Sequence, residues 1–441
     1  MKKLTYLALA AMAVLCSCSN SDIDDSNNGA MTPQGVTEFT ATIEGDDGAT
    51  RTAYDVTNRY ATWIANTDQI SINGYTYKAK ETGSTTAFTS IGEEAPTADT
   101  YKAYYPATMY SSDAISLPAS YSYTSNSPFN MPMYAESSST ELSFKNLTGV
   151  IALTVPSSEM ANIKTITVTS DMAISGTCTI SYADDAPTVT MTGTADADKT
   201  VTIDCGEGVD NQSGSTFYIP VPAGSHSLIF AVSDGTHTKY MASKNASGIS
   251  IARKNIYSLT FTENAVQLWA GGPKWATMNV GATTTTEYGG YYCWGKTTNL
   301  DSTGEYSTST SDISGTDEDT AKNLWGNSWK MPTYTDFCNI LSSSYTDGRY
   351  WVTNYNDSGI NGFLVKGKAG TVYESNEVFF PAAGYSCGGS VVDAGSFGAY
   401  RSSTPRYEST AYIMSFSSNG NRSVGSYNKS DCCSVRAVLA Y

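Results

Sequence analysis

The chain has 441 residues, and its 26 Lys+Arg against 42 Asp+Glu give a formal net charge of -16, which excludes a polyanion-binding surface of the kind nucleic acids require. Only 15% of the residues are charged, whereas Tyr numbers 31 and Gly 37; this composition points to an exported β protein and away from a helical cytosolic enzyme. The length predicts two or three domains.

The N-terminus predicts export. Met1-Lys-Lys3 precedes an apolar run from Leu4 to Leu15, which has secretory-signal length and is too short to span a bilayer. Leu15-Cys16-Ser17-Cys18 resembles a bacterial lipobox with a small residue just before the modified cysteine. That resemblance implies a signal peptide over residues 1–17, acylation of Cys18 and membrane contact only through the lipid. Residues 18–35 open with Ser19-Asn-Ser-Asp22-Ile-Asp24-Asp25 and read as an acidic tether. The tether is either a plain linker or similar to the acidic signals that send lipoproteins to the outer leaflet of the cell outer membrane.

From residue 36 to about 263 the pattern is that of short antiparallel strands. Glu38-Phe-Thr-Ala-Thr-Ile43 and Gln69-Ile-Ser-Ile72 alternate apolar and polar with period two, and Gly45-Asp-Asp-Gly48 and Asn73-Gly74 supply turns. Arg51-Thr52, Trp63, Asp68 to Ile72, Tyr104-Tyr-Pro106 and Leu142-Ser-Phe144-Lys-Asn-Leu-Thr-Gly149 follow in order. With Phe217-Tyr-Ile-Pro220-Val-Pro222, Leu228 to Gly235 and Ile256-Tyr-Ser-Leu-Thr260, that series resembles the fimbrillin family of type V pilins. The resemblance implies two tandem transthyretin-like β-sandwich domains, over 36–155 and 156–263.

The resemblance also implies a mechanism. A lipoprotein precursor is cut after an arginine between its first two strands, the lost strand leaves an apolar groove, and a strand of a neighbouring fimbrial subunit fills it by β-strand addition. Val36 to Ile43 would be the strand removed, Arg51 the processing site and Arg59 the second choice.

The last part of the chain carries Lys274-Trp275-Ala-Thr-Met-Asn-Val-Gly281, Glu287-Tyr-Gly289-Gly-Tyr-Tyr-Cys-Trp294-Gly295, Trp325-Gly-Asn-Ser-Trp329, Phe380-Pro-Ala-Ala-Gly-Tyr385 and Ser434-Val-Arg-Ala-Val438. Together these resemble the C-type-lectin-like major paralogous domain of gut-bacterial surface proteins. The implied fold class is mainly β, with an α+β lectin-like ligand-binding domain over 264–441. Trp275, Trp294, Trp325, Trp329 and Phe380 read as core. The closing strand is similar to the module's own final core strand, so it offers no donor strand, and a subunit that accepts but does not donate would cap a fibre at its tip.

Between Pro381 and Cys433 the chain is rich in Tyr, Ser, Asn and Arg, the mixture of rigid aromatics and adaptable hydrogen bonders that suits recognition. The candidate ligand-binding residues are Tyr385, Tyr400, Arg401, Ser403, Arg406, Tyr407, Tyr412, Ser415, Ser417, Asn419, Asn421, Tyr427 and Asn428. Family members often have tryptophan where this chain has Arg401, which predicts an exposed position there. The expected ligand is a protein or glycan on a host, bacterial or phage surface. The stretch also resembles the variable region of proteins diversified by retroelements.

No catalytic set emerges. The two histidines, His226 and His237, both precede the last domain, so no Ser/His/Asp arrangement can be assembled there, and neither a cofactor motif nor the calcium triplets of sugar-binding lectins are present. Seven cysteines remain beyond Cys16 and Cys18. An odd count without C-x-x-C spacing predicts one or two bridges, with Cys178 to Cys205 as a candidate, and buried thiols elsewhere. Two functions stay open: a fimbrial tip adhesin, or a surface lipoprotein that binds ligand without polymerising.

Overall fold

The computed structural model describes residues 35–44, 62–123 and 131–441. The expected lipidation site Cys18 and processing sites Arg51 and Arg59 lie outside these residues. The described residues are mainly β, with two short α-helices among them, Thr320–Trp325 and Tyr334–Ile340.

The first unit is a closed barrel, where a two-sheet sandwich was expected. Its strands run, in order around the wall, Glu38–Ile43, Glu141–Asn146, Met133–Ser137, Tyr101–Tyr105, Gln69–Ile72, Tyr75–Ala79 and Thr85–Ser90. Glu38–Ile43 closes it: this strand pairs parallel with Glu141–Asn146 on one side and antiparallel with Thr85–Ser90 on the other. Closure removes the open edges that a sheet must otherwise protect. The predicted period-two alternation holds, since Phe39, Ala41 and Ile43 are buried and the intervening residues face outward. At the centre Trp63 is fully buried, edge-on to Phe88 at 4.9 Å, Tyr105 at 5.3 Å and Phe144 at 5.2 Å. Its indole N–H donates to the Ala41 carbonyl at 3.2 Å, so the tryptophan binds the first strand by backbone as well as by packing.

The second unit packs a three-stranded sheet against a larger one. Thr148–Val155 lies in the middle of the smaller sheet, antiparallel to Ser215–Pro222 and parallel to Ile256–Thr260. That strand was expected at the end of the first domain; its Ile151 and Leu153 instead share a core with Ile166, Val168, Phe217, Ile219 and Phe230. The first stretch of chain also crosses over: Ser120–Ser122 pairs parallel with Thr200–Asp210, and Ala114–Leu117 with Gly176–Ala183. Long-range pairing therefore overrides the sequential division.

The larger sheet has nine strands and does not stop where the third domain was expected to begin. From one edge it runs Trp329–Lys330, Val438–Leu439, Lys274–Ala276, Ala265–Gln267, Thr238–Ala242, Leu228–Ser233, Asn162–Ser170, Thr200–Asp210 and Ser120–Ser122. The joint is the pair Tyr240↔Ala265. Packing follows the ladder across it: Ile229 and Ala242 share a core with Val280, Trp294, Trp325, Trp329 and Leu439. Trp329 Nε1 donates to Ser243 O at 2.9 Å, Tyr441 OH to Ser227 O at 2.7 Å and Asn327 Nδ2 to Asp171 Oδ2 at 2.8 Å.

Beyond that sheet, the last region holds two antiparallel three-stranded sheets. One is Asp347–Val352, Gly362–Lys366 and Glu377–Pro381; the other is Phe397–Pro405, Thr410–Ser417 and Arg422–Asn428. Asp319 caps the first helix, its Oδ1 accepting from the Ala321 and Lys322 N–H groups while Oδ2 accepts from those of Gly315 and Met331. Thr333 and Asp336 cap the second reciprocally. The expected core aromatics are in place: Trp275, Trp294, Trp329 and Phe380 are fully buried and Trp325 nearly so.

Among the described residues one disulfide joins Cys293 to Cys432 across 139 residues of sequence. The expected Cys178–Cys205 bridge is absent; both are free thiols. They face different cores, Cys178 among Tyr104, Met109 and Leu117, and Cys205 among the residues of the second unit, and burial pushes both up to about 11.

Candidate functional site

The candidate residues sit on and around the sheet Phe397–Pro405, Thr410–Ser417 and Arg422–Asn428. Its register assigns them to faces, because directly opposite residues in an antiparallel pair share a face. Ser415 lies opposite Ala399 and Ser423, Ile413 opposite Arg401 and Gly425, and Ala411 opposite Tyr427. Tyr412 lies opposite Ser426, and Met414 opposite Tyr400 and Val424. The sheet therefore divides the predicted set in two.

Three candidates are buried, which corrects the expectation of exposure. Tyr400 has no exposed surface, donates its OH to Pro381 O at 2.7 Å, accepts from Asn279 Nδ2 at 3.1 Å and packs edge-on against Phe380 at 5.1 Å. Burial pushes its hydroxyl up to about 12. Arg401 is also fully buried, beneath the segment leading to the disulfide; its Nη2 donates to the carbonyls of Asn428, at 2.9 Å, and Asp431. Its own N–H donates to Ser434 O at 2.9 Å, so the position expected to read a ligand holds the closing segment of the chain. Ser403 is fixed from the other side, with N–H and Oγ donating to Pro332 O at 2.8 Å and 3.2 Å.

The remaining candidates form two patches. On one face, Tyr385 meets Tyr427 edge-on at 5.5 Å and Phe397 at 6.3 Å, and the Ser415 and Ser423 hydroxyls are 3.3 Å apart. The Ser417 hydroxyl donates to Asn419 Oδ1 at 2.6 Å, and the same oxygen accepts from the Asn421 N–H at 3.1 Å. This extends the patch to the exposed hairpin tip. Asn428, opposite Thr410 and so on the other face, donates from Nδ2 to Asp431 Oδ2 at 3.2 Å.

On the opposite face, Tyr412 packs on Tyr334 with ring centres 4.2 Å apart. Arg406 donates from Nη1 to Ser426 Oγ at 2.9 Å and lies 5.2 Å from the ring of Tyr407, which is 65% exposed. Tyr334 joins this patch although it lies outside the stretch that composition singled out. Its place follows from the second helix, which packs on this sheet and sets Tyr334 N–H on Thr404 Oγ1 at 3.0 Å. A hydrogen bond with Cys338 raises the Tyr334 hydroxyl above its ordinary range.

The scaffold beneath is a polar anchor around Arg436, again fully buried. Its Nε donates to Asn279 Oδ1 at 2.9 Å, Nη1 to Ala276 O at 2.9 Å and Nη2 to Phe379 O at 2.8 Å, with Phe380 5.0 Å below the guanidinium. Each of its three nitrogens has a partner, whereas the Arg401 guanidinium is bonded through Nη2 alone. Elsewhere, a groove of about 360 Å³ opens where the second unit meets the last region, lined by Phe230, Met241, Ile249, Leu259 and Met278, with Lys244 and Glu263 also on its wall. Burial lowers Lys244 to about 8 and raises Glu263 to about 7.

The histidines are apart from both patches. His226 is buried in the second unit between Ser170 Oγ at 3.1 Å and Pro222 O at 3.0 Å, and burial lowers its pKa. Among the described residues, no three or more His, Cys, Asp and Glu gather to hold a metal ion.

A family described as a domain of unknown function (DUF8237) matches residues 347–438, the part of the chain that carries both patches apart from Tyr334. No curated protein matches. Among solved structures, a candidate cell adhesion protein of Bacteroides ovatus is 14% identical, with a TM-score of 0.31 over 51% of this chain and 91% of its own. A candidate cell adhesion protein of Bacteroides thetaiotaomicron is 15% identical, with a TM-score of 0.25 over 52% and 92%. A fimbrial protein of Bacteroides ovatus is 10% identical, with a TM-score of 0.22 over 92% and 100%. With TM-scores this low, the architecture rests on the strand pairing described above.

Proposed function

We propose that the protein is a fimbrial tip adhesin at the cell surface. It accepts a strand from a neighbouring subunit through the barrel and holds a protein or glycan ligand through a lectin-like C-terminal region. The observation that carries this reading is the position of Glu38–Ile43. It is a single strand inserted between two others, it fills an apolar slot with Phe39, Ala41 and Ile43, and residues 45–61, which include Arg51, connect it to the rest of the barrel. Among the described elements, releasing that strand divides no other, and strand addition by a neighbour would restore the ladder.

The tip position is supported by Val438–Leu439, which pairs on both sides within its own fold, with Lys274–Ala276 and Trp329–Lys330, so these residues are not available to a neighbour. The fimbrial-precursor route through a lipid on Cys18 and an outer-membrane location belongs to the same proposal. One feature favours the second reading, a surface lipoprotein that never polymerises: the barrel is closed by its own first strand and is complete without a partner.

Sequencing the N-terminus of the protein recovered from surface fibres tests the choice. The expected start is Thr52, after loss of the first strand. Fibre-associated chains that still begin at Cys18 would sink the strand-replacement proposal.

A further inference from the structure

Glu44 continues the ladder by donating its N–H to Phe144 O at 2.8 Å, then places its carboxylate in the joint between the barrel and the second unit. Oε1 accepts from the Asn146 backbone N–H at 2.7 Å, the Asn146 side-chain amide at 3.1 Å and Arg253 Nη1 at 2.6 Å. Lys254 Nζ lies 3.6 Å from Oε2, and the carboxylate side chain is only 7% exposed. Arg253 Nη1 also donates to Asn146 O at 3.1 Å, which locks the socket to the strand next door.

None of the groups around the carboxylate comes from the first strand itself. Asn146 ends the neighbouring strand, and Arg253 and Lys254 come from the turn before Ile256–Thr260. If the first strand leaves, as the proposed function requires, the socket remains: two cations and two N–H donors at the end of an apolar slot. Buried donors left without an acceptor are costly, and the Asn146 backbone and side-chain N–H groups would lose the one they have.

We propose that this socket selects the replacement strand, a proposal that rests on the strand-replacement reading above. The occupant is an extended segment of a neighbouring subunit that runs parallel to Glu141–Asn146 and carries a carboxylate just after its last inward aliphatic residue. The slot fixes the rest of the pattern. At the Phe39 position a ring sits 5.2 Å from Tyr77 and 4.8 Å from Tyr101. At the Ala41 position, fully enclosed in the core that holds Trp63, a small residue is favoured, and the Trp63 N–H donates to the backbone carbonyl there. At the Ile43 position a branched aliphatic closes the wall. The recognised sequence is therefore aromatic, any, small, any, aliphatic, acidic.

The test uses the full chain with a specific protease site placed within residues 45–61, cut after folding. The resident strand is then exchanged against labelled peptides that reproduce Val36 to Glu44, one natural and one carrying Glu44→Gln, and capture is followed by fluorescence anisotropy. The acidic peptide should bind on the order of ten- to a hundredfold more tightly, the range set by hydrogen bonds to a charged group. That preference should vanish in an Arg253→Gln chain. Equal capture of the two peptides by the natural cut chain overturns the socket while leaving strand replacement standing. Capture of neither peptide overturns strand replacement itself, and the socket with it. The two-peptide comparison needs no change in the socket, so it decides the matter even if Arg253→Gln does not fold.

Discussion

The first and last strands of the described chain, Glu38–Ile43 and Val438–Leu439, are each flanked by a neighbour on both sides, yet they are built in differently. The first is six residues long and its inward side chains fill one barrel; contact with the second unit comes from Glu44, just after it. The last is two residues long, but the segment leading to it is woven through everything around it. Val435 and Ala437 belong to one core, Val438 to another, and Arg436 ties three separate strands or loops by their carbonyl and amide oxygens. Ladder length does not measure integration; what matters is how many other elements lose a partner when the strand goes.

That contrast can be broken by measurement. The largest effect is expected for Arg436→Met, which strands Asn279 Oδ1 and the Ala276 and Phe379 carbonyls in the core. A loss of about 4 kcal/mol should appear in urea unfolding, with hydrogen-exchange protection falling throughout residues 264–441. Phe39→Ala should cost about 3 kcal/mol through the cavity it leaves, but exchange should quicken in the barrel alone. If the last region loses protection as well, the first strand is less separable than its contacts imply.

A smaller effect sharpens the junction between the second unit and the last region. Burial raises Glu263 from 4.5 to about 7, with Lys239 3.7 Å away acting in the opposite sense. The folded chain keeps a proton between those values that the unfolded chain releases, so the contribution is fully present below pH 4.5 and is lost as pH rises through 7. Glu263→Gln should therefore raise stability above pH 7 by about 1 kcal/mol and flatten the pH profile of Tm over the same window. The smallest effect on folding is expected at the surface. Arg406→Ala with Tyr407→Ala should change stability by less than about 0.5 kcal/mol, while abolishing any ligand found on an array of glycans and surface proteins if the Tyr412 face is the reading surface. Tyr385→Ala with Tyr427→Ala is the matching test of the opposite face.

Much of this was legible in the sequence. Period-two alternation located Glu38–Ile43 and Gln69–Ile72 at the ends the structure gives them, and Asn73-Gly74 is a turn with positive φ at both residues. The tryptophans were identifiable as core because so much apolar area is hidden only by packing. What stayed illegible is long-range. The parallel pairing of Glu38–Ile43 with Glu141–Asn146 and the bond between Cys293 and Cys432 depend on chain crossings that no local pattern encodes. Arg401 shows the limit most clearly. Its residue type suggests the surface, but its partners are carbonyls at 428 and 431, brought overhead by the closing segment.

The sheet that runs unbroken through Tyr240↔Ala265 has a mechanical meaning. If a patch holds a ligand as proposed, a pull on it would load the backbone pairing and the shared core across this joint. The patches would keep a fixed aim relative to the body of the molecule, and tension on a bound partner would arrive at the barrel as a directed force.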